Sequence, residues 1–321
     1  MDNKTQAEEN WVKALIKENF AEQKRSRRWG IFFKFLTFLY LFSAAVLFFN
    51  SKIGIFSDLQ KAPHTAMVEI NGVIAADKDA NANNIVSGLR AAFENEFSQA
   101  VILVINSPGG SPVQAGYIAD EIQRLQLLYP AKKLYSVIAD IGASGGYYIA
   151  ATTDQIYADK ASLVGSIGVT SSSFGFVDLL KKVGVERRHF TSGEHKAFLD
   201  PFSPSKEEER DFWQEVLDVT HQQFINVVKT GRGDRINTEK DGAALFSGLI
   251  WNGEQALALG LIDGLGSPGF VAREIIKAEQ IVNYSVQPST IEKLTKSLGL
   301  SIGSGLANQL SSEHSLINLN L

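Results

Sequence analysis

Apolar and polar positions divide this chain into one long hydrophobic block near its start and a body of short apolar runs set between glycine-rich turns. The block covers residues 29–49, a run of 21 residues whose only charge is Lys34. At about 1.5 Å rise per residue, a helix of that length spans the hydrocarbon core of a bilayer. Beyond it, residues 66–74 read as a strand bent at Gly72, and residues 77–84 as a polar loop. Ile85, Leu89 and Phe93 then mark one face of a helix reaching about Phe97. Residues 101–106 are an apolar run of the kind a buried strand shows. Ser111 is placed to cap the next helix, Pro112 fits its first turn, and Ile118, Ile122 and Leu125 recur at helical spacing.

A second strand-like run, 134–139, leads through Asp140-Ile-Gly-Ala143 into Ser144 and a short helix. Further along, 155–158 and 161–169 read as strands and 177–183 as a short amphipathic helix. Ser205-Lys-Glu-Glu208 has the capping-box pattern, and Phe212, Val216, Thr220, Phe224 and Val227 continue one helical face until Gly231. A shorter helix covers 254–260. The tail beyond 287 is rich in Ser, Leu and Asn, with a candidate helix at 290–299. Strands alternating with helices predict an α/β architecture.

Two strand–glycine turn–helix units carry candidate chemistry. In Ala143-Ser144-Gly145-Gly146, a serine stands at a strand-to-helix turn, beside amides with no intrahelical partner. An acyl-transfer nucleophile is expected at such a place; a Gly/Ala-rich helix packed tightly on a sheet has the same spacing. In Ser107-Pro-Gly-Gly-Ser111, consecutive glycines expose backbone amides, the material of an oxyanion hole, although a plain tight turn reads alike.

Composition narrows the classes. The net charge is −4 and no basic stripe occurs outside the N-terminal region, so nucleic acid is not an expected partner. With no cysteine in the chain, disulfides, zinc–thiolate sites and thiol nucleophiles are excluded. No metal-ligand cluster stands out, and no cofactor is expected. Lys24, Arg25, Arg27 and Arg28 precede the hydrophobic block, and only Lys52 and Lys61 follow it closely. By the positive-inside rule the N-terminus is cytoplasmic and the rest lies outside. Ser43-Ala44-Ala45 resembles a signal-peptide cleavage site, but cutting there leaves Val46-Leu-Phe-Phe49 at the new terminus, so the block is read as an uncleaved anchor. Trp11, Leu15 and Phe20 have loosely helical spacing in the polar segment before it.

A serine nucleophile needs a base. His64 lies in the tether, His221 in the long helix and His314 in the tail, which leaves His189 and His195 as triad candidates. Lys196 is a further candidate. A lysine acts as a base only when neutral, which demands desolvation to lower its pKa from about 10.4. The residues by themselves favour histidine slightly.

Four motifs carry a family resemblance. Asn106-Ser-Pro-Gly-Gly-Ser111, Gly142-Ala-Ser-Gly-Gly-Tyr-Tyr148, Val164-Gly-Ser-Ile-Gly-Val169 and Ser192-Gly-Glu-His-Lys-Ala197 resemble, in order and spacing, those of the signal peptide peptidase A family. The resemblance covers about residues 64–285 and extends into Trp251-Asn-Gly-Glu-Gln255. It implies the Clp protease/crotonase fold of repeated ββα units, with Ser144 as nucleophile and Lys196 as general base. Ser166 would orient the lysine amine, Gly109 and the N–H of Gly145 would form the oxyanion hole, and Gly110 would shape the turn. His195 then becomes a neighbour of the base.

The resemblance also implies hydrophobic peptides, including membrane-retained signal peptides, as substrates, and a homo-oligomeric ring in which Ser144 and Lys196 come from adjacent subunits. The expected organisation is a cytoplasmic segment (1–28), a transmembrane anchor (29–49), a tether (50–63), one copy of the peptidase domain (64–285) and a tail (286–321), with the domain on the periplasmic or extracytoplasmic side. The anchor would hold that domain within reach of the membrane. One rival is an inactive membrane scaffold of the same fold, which predicts loss of the nucleophile or base, whereas both are present; another is an acyl-CoA enzyme, against which the anchor and the Ala-Ser-Gly-Gly serine speak.

Overall fold

The structure, a computed structural model, describes Trp11 and residues 23–25, 27–46 and 60–286. It falls into two units, Met1–Ala62 and Pro63–Leu321. In the first, helix α1 (Gln23–Val46) is long and apolar enough to cross a membrane, and the side chains of its described residues are exposed. Trp29 stacks on Phe33 at 5.7 Å between centroids. The remainder of the N-terminal face and the candidate helix at 290–299 lie outside the described residues.

The second unit is built on an eight-stranded sheet. Strands β1 (His64–Asn71), β2 (Ser98–Ser107) and β3 (Leu134–Ala143) run parallel at its centre. Strand β8 (Ile281–Asn283) pairs parallel with the outer side of β1. On the other side, β3 is shared between two neighbours. Its first half, Tyr135 to Ile138, pairs with β4 (Gln155–Ala158), and its last residues, Ile141 to Ala143, pair with β5 (Leu163–Gly165). Strand β6 (Ile250–Trp251) is antiparallel to β5, and β7 (Gly264–Leu265) is parallel to β4.

Strand β2 is apolar on both faces because both are covered, as parallel sheets require. Val101, Leu103 and Ile105 enter the large core under helices α2 (Ala82–Glu94) and α3 (Pro112–Leu128). Alternate residues Ile102 and Val104 join a smaller cluster with Val137, Tyr157, Val271 and Ala272 on the opposite face. Each side chain taken from water to full burial contributes about 1.5–3 kcal/mol.

Several local expectations shift. Helix α2 begins at Ala82, capped by Asn81, whose side chain accepts the Asn84 N–H at 3.0 Å, so the preceding loop is shorter than its polarity suggests. Ser111 caps α3 as expected. Only 163–165 of the predicted strand 161–169 is a strand. The long helix α6 (Glu207–Arg232) has Lys206 as its N-cap without a side-chain bond, so Ser205 is not the cap. A capping box does occur at Asn252 and Gln255, opening α8 (Gly253–Ala258). Helices α4 (Gly145–Ala150), α5 (Val177–Lys182), α7 (Thr238–Leu245) and α9 (Pro268–Phe270) are the remaining α-helices among the described residues, beside a 3-10 turn at Gly233–Arg235 and a π-helical stretch at Val271–Ile276.

Helix α6 is buried only at Phe224, Val228 and Arg232, near its C-terminal end. There Arg232 donates to both oxygens of Asp263, at 2.8 and 2.9 Å, and to the Gly260 carbonyl at 2.9 Å. Burial pushes the Asp263 carboxyl up, but Arg232, the Ile156 N–H and Arg235 together hold it below the usual carboxylate range. The Tyr147 hydroxyl donates to the Leu261 carbonyl at 2.7 Å, and its burial raises its pKa. These contacts fasten α4 and α6 to the segment 260–263.

Candidate active site

Ser144 is where β3 stops and α4 starts. Its backbone is at φ 51°, ψ −123°, a region costly for any residue with a Cβ, by about 1–3 kcal/mol. Such strain persists only where surroundings over-determine it, and at a strand-to-helix elbow it presents the side chain outward. The Ser144 N–H donates to the Gly165 carbonyl at 2.9 Å, and its carbonyl accepts from the Tyr148 N–H at 2.8 Å.

The turn after β2 packs on this elbow. Gly109 is buried at φ 102°, and a Cβ there would lie 2.7 Å from Ser144 Cβ and 2.8 Å from the Gly145 nitrogen. No larger residue fits. The Gly109 N–H donates to Ser107 Oγ at 3.1 Å and its carbonyl accepts from the Ile74 N–H at 2.9 Å. The amide sequence reasoning assigned to the oxyanion hole is therefore engaged within the turn. Gly110, assigned to shaping, is the exposed one. Its N–H donates to none of the described residues, and it lies 3.3 Å from a Cβ position built on Gly145. As the first residue of α4, Gly145 also has an amide without an intrahelical acceptor.

A cavity of about 630 Å³ opens at this point. Ser144, Gly145, Gly110 and Ser166 line it, together with Tyr148 and Phe224, whose ring centroids are 5.3 Å apart. Ser166 is at φ 54°, a second strained serine in the same wall. No lining residue carries a charge.

Lys196 is not among them. It is exposed, in a turn closed by its own N–H to the Gly193 carbonyl at 3.2 Å. His195 contacts Glu209 at 3.4 Å and His189 contacts Arg187 at 3.2 Å, both outside this cavity. Within one chain the structure thus brings Ser144, Ser166, Gly110 and Gly145 together and leaves every candidate base elsewhere. The segment carrying Lys196 also exposes Phe174 by 79% and Phe190 by 92%, and α5 within it has no buried residue.

Residues 127–281 match the model of peptidase family S49. A relative in Methanocaldococcus jannaschii, named "Putative protease MJ0651", is 30% identical over 218 residues, 66% of this chain and 68% of its own. The chain belongs to this family.

Ser144, Ser166 and Lys196 lie inside the matched region, while Gly109 and Gly110 precede it. The "Putative signal peptide peptidase SppA" of Enterococcus faecium is 32% identical over 227 residues, 68% of this chain and 64% of its own. The Na(+)/H(+) antiporter NhaA of Brucella abortus is 48% identical over 178 residues, 56% of this chain. That stretch is only 24% of the Brucella protein, whose name describes a much longer chain.

Sequence reasoning missed the contribution of α6. Thr220, Gln223 and Phe224 form one side of the cavity. The helical face containing Thr220 and Phe224 was visible; its target was not. His64, assigned to the tether, is the buried first residue of β1, with Nε2 2.9 Å from the Tyr284 hydroxyl.

Proposed function

We propose that this chain is a membrane-anchored serine endopeptidase of extracytoplasmic orientation, acting on hydrophobic peptides such as signal peptides left in the membrane. The observation that carries the reading is the strained Ser144 beside two unengaged amides in one uncharged cavity. An elbow serine with a nearby pair of donors is the arrangement acyl transfer needs. Gly110 and Gly145 are the better-placed oxyanion donors, with Gly109 supplying the close turn.

Lys196 is the proposed base, delivered by a neighbouring copy. The cavity has no basic side chain of its own, and the segment bearing Lys196 exposes aromatic surface suited to a subunit contact. Neutral Lys196 takes the Ser144 proton as Ser144 Oγ attacks the scissile carbonyl. It passes that proton to the leaving amine, then removes one from the water that attacks the acyl-enzyme. Ser166 orients the amine. The parallel sheet with its flanking helices is compatible with the Clp protease/crotonase architecture.

The test is cleavage of a hydrophobic reporter peptide by full-length protein in detergent, wild type against Ser144→Ala. Loss of activity in an assembly of unchanged size supports the reading. Equal activity in both overturns the nucleophile assignment. No cleavage by intact oligomers across several peptides favours an inactive scaffold, a reading with which a base-free cavity is also compatible.

A further inference from the structure

The loop carrying Ser166 is held on three consecutive residues. Gly165 and Ser166 both have positive φ, 110° and 54°. Glycine takes such a conformation freely, but Ser166, which carries a Cβ, needs external restraint to persist in it. The Gly165 carbonyl accepts from Ser144, the Ser166 N–H donates to the Leu249 carbonyl at 2.7 Å, and the Ile167 carbonyl accepts from His221 Nε2 at 3.1 Å. Of these three, the last alone comes from a side chain, reaching across 54 residues of sequence.

We propose that His221 is a positioning residue for Ser166. Its Nε2–H fixes the Ile167 peptide, and so the direction in which Ser166 faces the cavity next to Ser144. The helix places it for this. Thr220 and Gln223, on either side, line the cavity, and Phe224 is buried against Tyr148. Because Nε2 carries the donated hydrogen, it is not free to accept the Ser144 proton. The role is geometric, and it extends the peptidase reading, on which the use of Ser166 rests.

The test compares full-length His221→Ala, His221→Gln and His221→Asn. A glutamine amide nitrogen occupies the place of Nε2, whereas the asparagine nitrogen stops at the place of Nδ1. Expected for the Ala and Asn variants is a kcat about ten- to a hundredfold lower with KM for the reporter peptide nearly unchanged, and for Gln a kcat close to wild type. Hydrogen exchange at the Ser166 amide provides a second readout independent of activity. Exchange should quicken in Ala and Asn and be restored in Gln, also in a Ser144→Ala background. Wild-type kcat in the Ala variant, or Gln no better than Ala, overturns the proposal. So does a parallel loss of melting temperature in all three variants, which would mark a folding role. If wild type cleaves nothing, the peptidase reading fails, and the exchange pattern still decides whether His221 holds the loop.

Discussion

The Ser144 N–H and the Gly165 carbonyl are joined at 2.9 Å, which fastens the elbow at the end of β3 to the last residue of β5. The two strained serines of the cavity are therefore one backbone assembly. Disturbing either turn should be felt at the other.

Gly109→Ala tests the packing of the elbow. The new methyl would meet Ser144 Cβ at 2.7 Å, on a backbone whose φ of 102° already disfavours alanine. Peptidase activity should fall by about two orders of magnitude or more, because Ser144 and the amides proposed as oxyanion donors both move. Steady-state kinetics alongside thermal melting will check this; an active, fully stable variant contradicts the packing argument.

The proposed sharing of the site between subunits predicts complementation. Ser144→Ala and Lys196→Ala are each expected to be inactive. Dissociated, mixed in equal amounts and reassembled, they should recover about a quarter of wild-type activity, since each site needs the right subunit on both sides of one junction. A site completed within one chain would recover nothing.

Arg232→Met should destabilise the domain by about 1.5–3 kcal/mol, because Asp263 loses its bidentate partner while Arg235 and the Ile156 N–H remain. Arg232→Lys should rescue little, as an ammonium cannot reproduce the paired fork. Urea unfolding followed by tryptophan fluorescence measures both. A loss below about 1 kcal/mol for Arg232→Met would show that the pair is dispensable.

Acid should weaken the contact between α2 and α3. Hydrogen bonds from Arg124 and Arg90 hold the Glu121 carboxyl at about 2, down from 4.5. A depressed folded-state pKa stabilises above the unfolded value, and that stabilisation disappears as pH falls from about 4.5 through about 2. With both arginines half exposed, the effect is on the order of 1–2 kcal/mol. Glu121→Gln should flatten this part of the stability–pH curve; an unchanged slope would refute the assignment.

What could be read in advance follows from how local each signal is. The runs at 101–106 and 134–139 announce buried strands, and the turns after them announce amides, because periodicity and glycine spacing are local properties. The Ser205 cap failed because the pattern is shared by any polar turn before a helix, and here the chain enters one residue later. That the Gly109 N–H is engaged within its turn depends on where Ser107 Oγ points, which no spacing encodes. His221 was set aside for lying within a helix. Only the fold brings that helix against Ile167.

Strand β8 has a consequence for how the molecule is made. Thr65, Ala66 and Met67 of β1 take their outer partners from Ile281, Val282 and Asn283, more than two hundred residues later. Until those last residues leave the ribosome, β1 has an unpaired flank able to recruit foreign strands. Completion of the domain therefore waits for a segment more than two hundred residues beyond β1, and the sheet closes late in synthesis.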